Sequence, residues 1–321
     1  EKQKAGLSTF FNGRFNKQIV LAFLIAAFNQ LSGINAIIYF APRVFEMAGI
    51  GEDAAFLQSA GVGLVNLIFT MLGLVLIDKL GRKKVLMIAG FAFAVSSIGI
   101  LIPSGIEYFI FFRFIGGIGI GIASILAPMY ISEIAPADIR GRLISIYQLG
   151  IVTGILLIYF VNAGIAGLHD NAWNVNSGWR WMFGSGLVPS LIFILLLLPI
   201  PESPRWLAKQ NRWNEADVIL AKVNGRENAD KEIAAIRESL TEQQGSFLDL
   251  LKPGLRTALT IGIVLAIFSQ ITGINVIMYY APEIFKATGS GSSSALMQTI
   301  WVGSINLLLT IVAIKYVDKL G

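Results

Sequence analysis

The side chains best suited to chemistry in an apolar setting are amides. Gln30, Asn35, Asn66, Gln148, Gln270, Asn275 and Asn306 all lie within or at the edge of long apolar stretches. An amide offers donors and acceptors without charge, which suits an uncharged solute bearing hydroxyl groups. Where no water is at hand, such a group must find its partner inside the protein or on a bound solute. The alternative is that these amides bond helix to helix, and for Asn66 and Asn306 both readings stay open. Other chemistries are poorly supplied. The chain has no cysteine and one histidine, His169, so it offers neither a thiolate nor a histidine metal cluster. It contains no nucleophile–base pair and no phosphate-binding loop. No catalytic residue, metal or cofactor is expected, and the chain does not read as an enzyme.

Composition sets the elements that must carry these amides. Hydrophobic residues make up 55% of the chain and charged residues 14%, with a mean hydropathy of +0.69. That leaves too little polar surface for a soluble domain of 321 residues. Stretches able to cross roughly 30 Å of hydrocarbon as helices are predicted at 19–40, 56–77, 85–102, 108–131, 143–161, 181–200, 257–280 and 296–314. The expected fold class is an all-α integral membrane protein of about eight transmembrane helices. All but four of the 25 Lys and Arg fall on one side of these spans, leaving Arg43, Arg113, Arg180 and Lys286. The positive-inside rule then places both termini in the cytoplasm of a multi-pass protein of the cell membrane. Because the basic residues sit in short loops and not on one stripe, the net charge of +5 points to the lipid bilayer as partner and not to nucleic acid.

Three regions follow: a six-helix bundle over 1–200, a cytoplasmic helical linker over 201–254, and the start of a second bundle over 255–321. In the linker, Val218, Ile219 and Val223, then Ile233, Ile236 and Leu240, recur at helical spacing. Asn214 and Asn228 are the expected caps and Gly225 the stop of short amphipathic helices.

The chain also repeats itself. Residues 19–81 and 259–321 align without a gap at an offset of 240, with 24 identities in 63 positions. The matches include Gln30/Gln270, Gly33-Ile34-Asn35/Gly273-Ile274-Asn275, Ala41-Pro42/Ala281-Pro282, Asn66/Asn306 and Asp78-Lys79-Leu80-Gly81/Asp318-Lys319-Leu320-Gly321. Hydrophobic composition alone matches Leu with Ile; it does not match Gln, Asn, Pro and Asp. Internal repeats of this kind mark transporters.

With these motifs the sequence resembles the sugar porter family of the major facilitator superfamily. The resemblance rests on the loop 78–84 (Asp-Lys-Leu-Gly-Arg-Lys-Lys), Arg113 with the Gly-rich run 116–121, and Pro128-Met129-Tyr130-Ile131-Ser132-Glu133 with Arg140-Gly141. It rests also on Gln148, Gly178-Trp179-Arg180-Trp181, Pro201-Glu202-Ser203-Pro204-Arg205-Trp206 and the two Gln-x-x-Gly-Ile-Asn segments. It implies a major facilitator fold, here partial, that moves a hexose or pentose by alternating access as part of a longer chain. Gln148, Gln30, Asn35, Gln270 and Asn275 are then the sugar contacts, with Asn66 and Asn306 behind them. Asp78, Arg82, Glu133, Arg140, Arg142, Glu202 and Arg205 form a cytoplasmic gating network. The rivals are a sugar-binding sensor that completes no cycle and an inactive rearranged fragment.

The order of segments departs from the family. Residues 19–81 resemble helices seven and eight, 85–207 helices three to six, and 257–321 helices seven and eight again. Counterparts of helices nine to twelve are absent, so a truncated chain is expected to be unstable or to self-associate. Gln30 and Asn35 are five residues apart, which on a regular helix separates them by about 140°; a break at Gly33, and at Gly273 in the second copy, would bring the paired amides to one side. No carboxylate lies in the middle of a span, and Ile155 stands where some proton-coupled members have a second Gln, so no proton carrier is expected.

Overall fold

The computed structural model describes residues 16–31, 52–102, 105–135, 140–241, 252, 254–273, 284 and 292–320. Asn35 and Asn275 lie outside these residues, as do Gly33 and the side chain of Asn66.

Every predicted apolar stretch is helical over all or part of its length. The first copy of the repeat contributes α1 (Asn16–Asn29) and α2 (Glu52–Leu80). There follow α3 (Arg82–Leu101), α4 (Ile106–Ile134) and α5 (Arg140–Ala166). The next span is interrupted: a single turn (Asn171–Trp173) runs through a π-helical stretch (Asn174–Gly178) into α6 (Trp179–Gly184), then α7 (Leu187–Leu197). Three short linker helices are α8 (Pro204–Lys209), α9 (Trp213–Asn224) and α10 (Arg226–Thr241). The second copy contributes α11 (Leu255–Ile271) and α12 (Ser292–Leu320). Among the described residues five helical segments are long and apolar enough to cross a bilayer: Arg82–Leu101, Glu107–Ile134, Arg140–Ala166, Asn176–Leu197 and Met297–Tyr316.

The helices meet through small residues, as expected where lipid removes the hydrophobic drive for helix association. A side chain at Gly119 would lie 2.9 Å from the carbonyl of Ala89, fixing α4 against α3. Thr70 on α2 donates to the carbonyl of Gly121 on α4 at 3.2 Å. The main core gathers Phe93, Leu126, Tyr130, Leu143 and Phe193 from α3, α4, α5 and α7. The outer faces stay apolar, with Leu64, Leu67, Met71 and Val75 exposed along one stripe of α2. Exposure of that extent is costly in water and costs nothing in lipid.

The two copies of the repeat pack differently. α1 lies on α5 and α2 on α4, whereas α12 lies on α5. Thr70 reaches across to another helix, while its counterpart Thr310 bonds back to the carbonyl of Asn306 on its own helix at 2.8 Å. α11 buries none of its residues.

The linker helices required a correction. α9 begins at Trp213 and α10 at Arg226, so Asn214 and Asn228 lie inside helices and cap neither. The chain turns at Asn211 (φ +60°), and the Arg212 guanidinium grips Glu215 at 2.6 Å through both Nε and a terminal nitrogen. No side chain caps this helix, and an acid in its first turn is favoured by the helix dipole. Gly225 does end α9, with φ +80°, and Arg226 starts the next helix at once. The buried stripe of α9 is Ala216, Ile219, Leu220 and Val223, with Val218 left 64% exposed. Ala216 and Ile219 pack with Trp206, Leu207 and Ile233 in a small apolar cluster of the linker's own.

Candidate functional site

Two clusters of polar side chains emerge: amides around α5, and charges where α2, α3, α4 and α8 converge.

The position of α1 on α5 is set by two glycines. A Cβ at Gly150 would lie 2.7 Å from the Ala26 Cβ, and one at Gly154 would lie 2.7 Å from the Gln30 Cβ and 2.8 Å from the Ala27 carbonyl. Gln30 therefore sits level with Gly154. α12 meets another side of α5, where a Cβ at Gly303 would strike the Tyr159 ring at 2.9 Å and Leu156 at 3.2 Å. At about 100° per residue, Gln148, Ile155 and Asn162 fall on the sector between these two contact faces, at intervals of seven. They line a crevice flanked by α1 and α12. Along it Gln148 is exposed, Ile155 half-buried and Asn162 4% exposed. Beside this sector Leu31 from the first copy and Ile300 and Val302 from α12 cluster with Ile158 and Tyr159.

Of the predicted amides, Gln148 lies on this sector and Gln30 stands at the α1–α5 contact on its flank. Asn306 is half-buried on α12, and Gln270 is exposed on α11. The expected helix breaks are partly visible. The first copy leaves α-helical geometry for a π turn at Gln30–Leu31, before Gly33 is reached. In the second copy α11 ends at Ile271, and Gly273 has φ +79°, a conformation favourable to glycine alone. Two amides were missed by the sequence reading. Asn29 is 1% exposed, and its side chain bonds to the buried Tyr147; as its counterpart in the repeat is Ser269, the identity signal passed it over. Asn162 carries no repeat partner at all, but its spacing of fourteen from Gln148 was available.

The charged cluster is built on a glycine turn. Gly81 has φ +90°, and a Cβ there would lie 2.5 Å from the Glu202 carboxylate, so the turn from α2 to α3 accepts no other residue without displacement. Glu202 occupies that space: one of its oxygens accepts the backbone N–H groups of Arg82 (2.8 Å), Lys83 (3.0 Å) and Ser203 (2.9 Å). These include orphan donors at the start of α3, where a carboxylate is favoured. The buried Arg82 guanidinium forms a fork with Glu133, two bonds of 2.9 Å, and Ser203 Oγ donates to the same carboxylate. Asp78 lies 3.6 Å from Arg82 and 2.9 Å from Lys209, and Trp206 Nε1 donates to the Asp78 carbonyl at 3.0 Å. Arg140 turns elsewhere, to the linker carboxylate of Glu232 at 3.8 Å. Arg205 is exposed, and Arg142 is half-buried near the start of α5. Lys209, Ser203 and Glu232 were not foreseen. The Ser203-Pro204 pair was a readable signal, since a serine cap followed by proline at the first helical position is a common helix start, and Ser203 does accept from Trp206 N at 3.3 Å.

The family described as "Sugar (and other) transporter" matches residues 1–100 and 75–321. This chain belongs to the sugar porter family. Among curated relatives it is 47% identical to the arabinose-proton symporter of Bacillus subtilis (strain 168) and 42% identical to the D-xylose-proton symporter of Escherichia coli (strain K12), each over 76% of this chain and 53% of the relative. The porter chain thus spans about half the length of the curated relatives it matches. Among solved structures, the major facilitator proton:xylose symporter XylE bound to 6-bromo-6-deoxy-D-glucose superposes with a TM-score of 0.83 at 36% identity, covering 96% of this chain and 70% of that one. XylE in a partially occluded inward open conformation gives a TM-score of 0.81 at 35% identity. The resemblance drawn from the motifs therefore holds, and the fold is a partial major facilitator fold of helices alone among the described residues.

Proposed function

We propose that this chain forms the sugar-binding part of a monosaccharide transporter, taking a hexose or pentose into the crevice along α5 and passing it across the bilayer by alternating access. The observation that carries this reading is the crevice itself: an uncharged amide, Gln148, exposed along it and a second, Gln30, on its flank about 9 Å further along the axis, in a chain of this family. A neutral sugar needs acceptors and donors and no charge. The sugars named for the relatives, arabinose and D-xylose, support a pentose or hexose here. Asn35, Gln270 and Asn275, with Asn66 and Asn306, complete the set of contacts in this reading, and the Asp78–Arg82–Glu133–Glu202 cluster acts as a gate, with Arg140, Arg142 and Arg205 at its margin. The distribution of Lys and Arg supports cytoplasmic termini. No covalent step and no cofactor belong to the cycle.

The first copy of the repeat fills the place of a first helix pair in this reading. Three observations support it: the family matches twice with an overlap at 75–100, α1 and α2 pack onto α5 and α4, and the superposition on XylE takes in a fifth more of the chain than the alignment in sequence. A second reading, binding without flux, is favoured by α11, which buries nothing. A rocking cycle needs two bundles about one site.

Equilibrium binding of D-xylose and D-glucose to the purified chain tests the site. Gln148→Ala should weaken binding by about 1–3 kcal/mol, the scale of a lost buried polar partner, with the fold retained. Unchanged affinity in a folded variant would make Gln148 a structural amide.

A further inference from the structure

α1 and α11 are corresponding helices of the repeat, yet they are held very differently. α1 lies in a groove between α5 and α7, whereas α11 buries none of its residues. In the proposed topology both cross the bilayer in the same direction, so α11, from this chain or from a second copy, is a competitor for that groove. Much of what α1 presents to the groove is shared. Four described side chains of α1 are buried: Ile25, Ala26, Ala27 and Asn29. Their counterparts at the offset of 240 are Leu265, Ala266, Ile267 and Ser269. The first two are matched in kind and the last two are not.

Both differences fall where the groove has little slack. Ala27 lies against both glycines of α5: a Cβ at Gly150 would be 3.3 Å from its nitrogen, and one at Gly154 would be 2.8 Å from its oxygen. Ala27 is itself 4% exposed, so the further carbons of an isoleucine have no room there unless α1 lifts from the groove. Asn29 is 1% exposed, and its side chain bonds to Tyr147, which is 7% exposed. A serine at that position is shorter and would leave the buried Tyr147 hydroxyl without this partner. In α11 the counterpart Ser269 turns back on its own helix, donating to the Ala266 carbonyl at 2.8 Å.

We propose that Ala27 and Asn29 make the groove on α5 selective for the first copy of the repeat, and that Ile267 and Ser269 bar the second copy from it. The inference rests on the reading in which the first copy fills the place of a first helix pair, and it holds whether or not the chain moves sugar. Its physical role is to stop one copy of the chain from inserting α11 into another, since exchange of like elements between protomers is otherwise a low-cost route to oligomers.

Because the chain has no cysteine, the occupant of the groove can be read by oxidative cross-linking. The Gln30 Cβ lies beside Gly154, and Ile155 is the next residue. Gln30→Cys, Ile155→Cys and Gln270→Cys in one chain therefore report, by mass spectrometry, whether position 30 or position 270 is joined to position 155. The 30–155 product should dominate in the unexchanged sequence. Exchanging the two residues between the copies (Ala27→Ile, Asn29→Ser, Ile267→Ala and Ser269→Asn) should raise the ratio of 270–155 to 30–155 product by at least roughly tenfold, on the scale of one overpacked residue and one unmet polar group. Asn29→Leu should lower the thermal midpoint, and Tyr147→Phe added to it should recover most of that loss, because both polar groups are then gone. A ratio unchanged by the exchange, loss of the 30–155 product with no 270–155 product in its place, or a double variant no more stable than Asn29→Leu alone would each overturn the inference. Binding of D-xylose by the cysteine-free chain, measured in parallel, reports on the sugar site independently of which helix holds the groove.

Discussion

Removing Glu133 should be among the most damaging single changes outside the core. Its carboxylate makes both bonds of the fork to Arg82 and accepts from Ser203, and the side chains of Arg82 and Glu133 are 7% and 8% exposed. In Glu133→Ala the guanidinium stays buried with Asp78, 3.6 Å away and half-exposed, as its remaining charge partner. Breaking a buried pair from one side costs about 3–5 kcal/mol, whereas a surface pair costs about 0–1 kcal/mol. The burial here argues for the larger figure. Arg82→Met with Glu133→Leu removes both charges together and should recover most of the loss, since an apolar pair of similar volume is often neutral. The assay is reversible unfolding in mixed micelles, followed by tryptophan fluorescence, on the cycle of the unsubstituted chain, Arg82→Met, Glu133→Leu and the double variant, with Glu133→Ala beside it. A loss below about 1 kcal/mol for Glu133→Ala, or a double variant no better than the single, would refute the claim that the fork is a desolvated pair.

Further outcomes follow from the same contacts. Gly154→Val should separate α1 from α5 and weaken both folding and sugar binding, because its Cβ would strike Gln30 and the Ala27 carbonyl; normal stability and affinity would show that α1 is not held there. Arg212 keeps the Glu215 carboxyl below its ordinary range through their hydrogen bond, so the unfolded linker binds protons more readily; the contribution is present at neutral pH and lost as pH falls through the folded value. Glu215→Gln should flatten that acid limb of linker helicity followed by circular dichroism, and an unaltered limb would count against the pair. Single cysteines at Ser104 and Ser239 should be reached by impermeant reagent from outside and only after lysis, respectively; the reverse pattern would invert the topology.

Much of the architecture could be read directly, because lipid imposes long apolar helices whose lengths announce themselves: 85–102 was predicted and Arg82–Leu101 found. Faces were harder. Hydropathy could not say that Ile219 and not Val218 turns inward on α9, as the choice depends on where Trp206 and Ile233 stand. The fork of Arg82 with Glu133 was foreseen as part of a loop network, but Arg140 was drawn away by Glu232 on α10, a pairing set by how the linker folds back. Gln148 was identified by motif, yet its exposure, and the burial of Asn162 on the same sector, depend on neighbouring helices that the spacing along α5 does not specify. The two copies of the repeat carry the same Thr at 70 and 310 and use it differently, because neighbours, which sequence identity does not encode, decide which face is buried.

In the proposed reading an amide crevice on α5 binds a monosaccharide, and exchange by alternating access needs two bundles about that site. Reconstituting the purified chain beside a version extended by helices nine to twelve of a related porter, and measuring D-xylose binding and equilibrative exchange in both, tests it most directly. Saturable binding by both and exchange by the extended chain alone are expected. Exchange by the unextended monomer, or no saturable binding by either, would contradict it.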